Sequence, residues 1–373
     1  MYRYRIYLSF VGLAIWLYAA FYFLGTHTSE SDGRVLRIYN WAHYLPDSVI
    51  RAFEKQEGVR VIYDVYDAIE TLEAKLLAAR SGYDLVFPPL LPTGAIFLKA
   101  GAFSKLDLTL LPNRRHLDPA IMQGLARYDL GHAHFMPYLW GTTGLVFHKR
   151  KVRHLAPDAP LKSWRLLFDL SYARRFKKCG LILLDSPADV FSDLLLFAKK
   201  DPGKFLEEDL NGVAKYLRLL RPYVSRFTSA DTMQDMLSER LCVAEIFSTY
   251  AHMAIQKIKS VRGRSPYVYV IPEEGAMMWI DVMAIPKDAP NKKLAHRFIN
   301  FLMQPHVMAE VTNQIYAASA IQSAQKYVKS WIRADKTIYP SADVMKKLHL
   351  DALPSRQYER KRLRLWTLIK SGY

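Results

Sequence analysis

The sequence predicts an α/β fold built from two units. Three observations carry that expectation. Short apolar strands alternate with amphipathic helices from Val35 to Phe87. The same alternation begins again near Leu181. Between them runs a long apolar stretch, Phe135 to Phe147, with Gly141 and Gly144 near its middle, which reads as a strand passing from one unit into the next. Strand–helix–strand in this rhythm predicts parallel sheets covered by helices. With 373 residues, 51% apolar and 23% charged, the chain has ample length for two domains.

In chain order, Arg3 and Arg5 precede an uncharged run from Ile6 to Gly25. Basic residues before an apolar core read as an export signal. The run is long enough to span a bilayer and longer than the usual signal core, so an uncleaved anchor is expected over a removed signal peptide. Thr26 to Gly33 is a polar tether. Arg34 to Tyr39 alternates as a first strand. Asp47 is placed to cap a helix carrying Val49, Ile50 and Phe53, which Gly58 ends. Val59 to Tyr66 is a strand, Glu70 to Arg80 a helix and Tyr83 to Phe87 a strand. In the second unit, Leu181–Asp185, Leu241–Phe247 and Tyr267–Ile271 read as strands. Asp189–Lys199 and the stretch from Val213 read as helices. After Pro286 the pattern is helical over Lys292–Met303 and again from Pro305 to Asn313.

The net charge of +17 and pI near 9.6 suggest an anionic surface nearby. The denser patches are His148–Arg153, Arg174–Lys178 and Arg356–Arg364. No zinc finger, RNA-recognition motif or basic zipper accompanies them, so a solvated basic surface is expected and nucleic acid is not. Cys179 and Cys242 are too few for a disulfide framework and lack metal-ligand spacing; whether they pair is open. There is no phosphate-binding glycine loop, no zinc-protease motif and no nucleophile elbow. His132 and His134 lie two apart in a strand-like stretch and read as a solvent-facing pair. Glu207–Glu208 and Glu273–Glu274 read as surface groups. No enzyme, metal or cofactor is expected.

One pair does carry binding chemistry. In Met278–Pro286, extended backbone puts Trp279 and Asp281 on one face. An aromatic surface beside a carboxylate suits an organic ammonium, through charge-assisted hydrogen bonds and cation–π attraction. A plain strand that buries Trp279 and leaves Asp281 at its wet end is the alternative.

Several segments together resemble one family. They are IYNWAHYLP (38–46), YDLVFP (83–88), PYLWGTTGLVF (137–147), ADVF (188–191), MWIDVMAIP (278–286), INFLMQP (299–305) and QIYAASA (314–320). In this order and spacing, the chain resembles the periplasmic spermidine/putrescine-binding proteins of ABC importers. The resemblance implies a two-lobe periplasmic-binding-protein fold with hinge strands and a ligand cleft. It implies capture of a small organic amine and delivery to an ABC permease, in the periplasm, with the N-terminal helix tethering the chain to the inner membrane. It divides the chain into residues 1–33 (signal or anchor, and tether), a first lobe of 34–141 with 280–324 returning, and a second lobe of 142–279 with 325–373 returning.

Carried over position by position, the family's ligand-contacting rings match Trp41, Tyr44, Trp279 and Tyr316, with Phe247 in place of a tryptophan. The ammonium-holding carboxylate matches Asp281, and Asp189 stands where the family has a glutamate. Pro89, Leu90, Leu91 and Pro92 replace small polar and aromatic residues, Ala42 replaces a hydroxyl residue, and Ser186 replaces an aspartate. One firm carboxylate and one shortened one suit a ligand with fewer charges than spermidine, such as a diamine. The same fold with a different ligand or none, as a sensor or envelope interaction protein, is the other reading. Glu245 shares a strand face with Phe247, where it would compensate for the missing carboxylate; it is costly to bury unpaired, and a salt bridge to an arginine is the slightly favoured reading.

Overall fold

The computed structural model describes residues 34–78, 80–229, 231–350 and 352–372. The expected anchor and tether at 1–33 lie outside them. Among the described residues no helix is long and apolar enough to cross a membrane.

The first unit opens with β1 (Val35–Trp41), α1 (Asp47–Glu57), β2 (Arg60–Tyr66), α2 (Ile69–Leu77) and β3 (Leu85–Val86). Helix α1 buries Val49 and Phe53 and ends at Gly58, whose φ of 65° lies in the left-handed region that glycine enters without a Cβ penalty. Asp47 does not cap this helix. Pro46 holds the N-cap position, and Asp47 starts the first turn, where its charge complements the helix dipole.

Strand β4 (Phe135–His148) crosses the molecule without a break, and all fourteen of its residues are buried. The second unit follows with β5 (Leu181–Leu183), α3 (Pro187–Phe197), α4 (Glu207–Leu220), β6 (Arg226–Phe227), β7 (Val243–Phe247), α5 (Ser248–Arg262) and β8 (Tyr267–Val270). Strand β9 (Ala276–Ala284) leads back to α6 (Lys292–Leu302), α7 (Pro305–Ile315) and β10 (Ala318–Ser319). The chain finishes with β11 (Leu348–Leu350) and α8 (Arg356–Ser371).

The strand order is β2-β1-β3-β9-β4-β7-β5-β6. The sheets are mixed rather than parallel throughout. β2–β1–β3 and β7–β5–β6 are parallel, as strand–helix alternation requires. β9 and β4 are inserted antiparallel between them. The front of β4 pairs with β9 and β10, and Thr143–His148 pairs with β7 and β8. One strand therefore belongs to both sheets.

Each sheet has its own core. The first gathers β1–β3, the front of β4, the end of β9 and α6–α7, with Phe53 against Phe298 and Phe301 at 4.8 and 5.3 Å between ring centroids. The second is built around Trp164, Phe168, Phe191 and Trp366, and a third cluster lies under α5. The tail splits between cores, unlike the expected boundary at 325. Val328, Ile332 and Ile338 belong to the first core, while Tyr358, Trp366 and Ile369 belong to the second. The physical reason is the pairing of β11 with Ala276–Met278, which carries the chain across only after Ile338.

Cys179 and Cys242, 63 positions apart in sequence, form a disulfide with Cα atoms 5.4 Å apart. Such a bond fits a chain folding outside the reducing cytoplasm. Closing a loop of that length stabilises by about 4 kcal/mol on the chain-entropy account. Reduction under native conditions is therefore expected to lower the melting temperature by several degrees, read by thermal unfolding with and without dithiothreitol; an unchanged midpoint would show that the bond constrains nothing.

Candidate functional site

The site forms where β4 and β9 run side by side. Gly141 lies directly opposite Trp279 in the ladder, so the two share a face. Two residues further along each strand, Thr143 and Asp281 lie on that same face, in opposite directions. Their backbones are separated by four strand steps, roughly 13 Å. Trp279 thus sits between a Thr143 end and an Asp281 end. Gly141 makes room for it: a Cβ there would clash with the Trp279 ring and stand 2.5 Å from the Ser248 hydroxyl.

At the Asp281 end the carboxylate is buried, and its backbone bridges to Pro89. Burial is the largest influence on its pKa, raising it to about 7; Trp41 and Tyr44 pull it down as donors. The Trp41 Nε1–H nevertheless lies outside hydrogen-bond geometry, so its influence is that of an oriented dipole. Among the described residues no lysine or arginine is ion-paired with Asp281. Instead it lies among phenols. Burial raises the pKa of Tyr44, Tyr66, Tyr138 and Tyr250, and the negative charge of Asp281 adds to each. Trp41 packs on Tyr66 with 4.5 Å between ring centroids. Tyr66 donates to the Phe87 carbonyl (2.6 Å) and Tyr138 to the Tyr44 carbonyl (2.7 Å), which fixes both rings.

At the other end, Asp189 is in the first turn of α3. It accepts hydrogen bonds from Thr143 Oγ1 (2.8 Å) and Ser186 Oγ (2.5 Å). Ser186 is the N-cap of α3 and holds Asp189 in place. Burial raises the Asp189 pKa, and these hydroxyls with the Arg362 charge oppose that rise. Phe247 pairs with Thr143 across β4 and β7 and is half-buried beside this end.

Tyr316 has a different setting. It closes α7 in the left-handed conformation, with φ 61°, and its ring faces Trp331 at 5.8 Å. Glu245 does not meet an arginine. It is fully buried, accepts from the Leu184 amide (3.2 Å) and faces the equally buried Asp193. Strand alternation turns it inward, where the exposed arginines do not reach.

Two other expectations change. His132 lies in a short turn at φ 52°, not in a strand, and His134 bonds Asp129 (3.0 Å). Among the described residues no cluster of side chains is suited to a metal ion. Glu274 is not a free surface group: it accepts from the Ser163 hydroxyl and, at 3.3 Å, the Trp164 amide.

The model of the bacterial extracellular solute-binding proteins matches residues 48–339. The chain belongs to that family. The putrescine-binding periplasmic protein of Pseudomonas aeruginosa is 38% identical over 347 residues, covering 92% of this chain and 93% of that protein. The putrescine-binding periplasmic protein of Escherichia coli is 36% identical over 351 residues, covering 92% and 94%. A solved structure from Listeria monocytogenes, described as a putative spermidine/putrescine ABC transporter, superposes with a TM-score of 0.79 at 27% identity, covering 91% of this chain and 100% of that one. As in these relatives, the fold is that of a two-lobe solute-binding protein, and the protein is not an enzyme.

Several residues that pack around Asp281 and Asp189 were not singled out by their sequence context. Tyr66, Tyr250, Thr143 and Asp193 all face the site or its floor. Their signals were weak. Tyr66 ends a strand otherwise half exposed, and Asp193 hides in an apolar helix one turn after Asp189.

The buried Asp281 carboxylate has a measurable consequence. Folded, it keeps its proton up to about pH 7. Unfolded, it releases it near pH 4. Folded stability is therefore lost as pH rises through that window. Asp281→Asn is expected to raise the ligand-free melting temperature by a few degrees at pH 8 and by much less near pH 4, read by thermal unfolding across pH. Equal gains at both pH values would mean that Asp281 is ionised in the fold at no cost. Gly141→Ala is expected to push the Trp279 ring aside, shifting the tryptophan emission maximum while leaving the far-ultraviolet circular dichroism unchanged.

Proposed function

We propose that this protein captures a small organic amine of the putrescine or spermidine type in the cleft between its lobes and presents it to an ABC permease from the periplasm. The observation that carries the reading is Asp281, a buried carboxylate with no cation paired to it among the described residues and with indole and phenol rings around it. Such a group is costly to keep ionised unless a cation arrives. An alkylammonium supplies that cation, and Trp41, Tyr44, Trp279 and Phe247 supply apolar faces for the methylenes between charges. Tyr316 stands at the edge of this set. The relatives named for putrescine support the same ligand class. Two carboxylate ends, at Asp281 and Asp189, favour a diamine over a triamine. Docking of closed lobes on a permease is the coupling such folds use, and an N-terminal apolar run holding the chain at the inner membrane fits that role.

Isothermal calorimetry with putrescine, cadaverine and spermidine tests the ligand class. Putrescine is expected to bind, and absence of heat with all three would sink the assignment. Asp281→Ala is expected to weaken binding about 100-fold, on the scale of removing one partner of a buried charge pair, and Asp189→Ala by less. The reverse order would show that the ends are assigned the wrong way round.

A further inference from the structure

Asp189 does not stand alone. Asp193 follows it by four residues on α3, so both carboxyls lie on one helix face. Glu245 reaches the same place from β7, two residues below Phe247. Asp193 and Glu245 are both fully buried. As carboxylates, both Asp193 oxygens and Glu245 Oε1 lack any hydrogen-bond partner. Two carboxylates have no donor between them, and a proton held between the pair is what gives them a bond.

The surroundings do not neutralise the cluster. From α8, Arg362 faces Asp189, but its Nη2 is bonded to Glu359 at 2.6 Å. From β8 the Tyr269 hydroxyl is committed to Thr142, donating to its carbonyl (2.9 Å). From β9 the Met277 amide points at Asp193 from outside hydrogen-bond geometry. From β5 the Leu184 amide serves the other Glu245 oxygen. Three carboxyls thus share one side of the cleft with a single, partly engaged guanidinium.

We infer that Asp193 and Glu245 are the charge reserve of the second amine subsite: when a diamine places its far ammonium on Asp189, the pair gives up its shared proton to solvent, and the added negative charge holds the dication. This rests on the amine-binding function proposed above. Asp193 and Glu245 act through Asp189 as positioning residues and need not touch the ligand. The proton balance is one released to buffer for each diamine bound below the pair's titration; the ammonium keeps its own protons. Burial favours the protonated pair, and Glu245 is pushed up to about 8. A cation at Asp189 reverses that preference. The consequence is selectivity: a monoamine seated at Asp281 gains nothing from the reserve, whereas a 1,4- or 1,5-diamine does.

The test is calorimetry of the full chain with putrescine at pH 7, in phosphate and in Tris, whose ionisation enthalpies differ. The dependence of the observed heat on the buffer counts the protons released. Wild type is expected to release more protons than the Asp193→Asn/Glu245→Gln double variant, which retains only the share from Asp281. The double variant is also expected to bind putrescine about 10-fold more weakly at pH 8 and to lose most of the rise in affinity between pH 6.5 and 8.5. If the double variant does not fold, Glu245→Gln alone, which keeps the side-chain shape and offers Asp193 an N–H donor, gives the same proton count. Equal proton release in wild type and variant overturns the inference while leaving the amine-binding function intact. A wild type silent toward putrescine overturns that function and the inference with it.

Discussion

The structure depends on one strand being shared by two sheets. β4 supplies hydrogen-bonding edges to β9 and β10 at its front, and to β7 and β8 at its back. A strand buried along its whole length has no tolerance for unsatisfied amides, so both sheets are tied to its register. The two glycines are where this constraint meets function. At Gly144 a side chain would strike the Tyr269 hydroxyl and the Val270 carbonyl, both 2.6 Å away. At Gly141 it would strike the Trp279 indole. The same residues that let two sheets converge on one strand also leave the cleft its space.

A second theme is deliberate electrostatic incompleteness. Several ionisable groups have ordinary partners, such as Arg297 with Glu57 or Lys370 with Asp185. Four carboxyls without an ion-paired cation among the described residues lie together along the β4–β9 face and its floor: Asp281, Asp189, Asp193 and Glu245. Their burial opposes ionisation and works against the ligand-free fold. A cationic solute removes that opposition, so affinity and instability have one source. The hydroxyls of Ser186 and Thr143 hold Asp189 in place without neutralising it, which keeps it available to a cation.

Neutral aromatic groups complete the arrangement. Trp41 on Tyr66 and Tyr39 on Tyr83, at 4.5 Å between ring centroids in each case, form a wall in which the Tyr66 hydroxyl is anchored to the Phe87 carbonyl and the Tyr83 hydroxyl to Asp64. Rings fixed in this way present faces at little conformational cost on binding. Pro89 beside Asp281 and the buried Leu90 close the wall with carbon where a polar residue would offer a competing hydrogen bond.

Much of this was legible from residue order. Periodicity locates β1, β2, α6 and α7 to within a few residues, because an amphipathic face is written locally. The Trp279–Asp281 spacing is likewise local, and it announces an indole and a carboxylate on one face. Glu245 was misread because its partner is distant in sequence, Asp47 because Pro46 already held the cap, and His132 because it lies in a left-handed turn rather than a strand. Nothing within ten residues of Glu245 reveals Asp193, since the two meet only when α3 lies across β7. By itself, then, the sequence determined the strand and helix pattern, the glycine crossing and the pairing of an indole with a carboxylate on one strand face. Tertiary structure alone decided which carboxylates are denied a counter-ion, because desolvation and charge pairing are properties of what packs around a group and not of its neighbours in the chain.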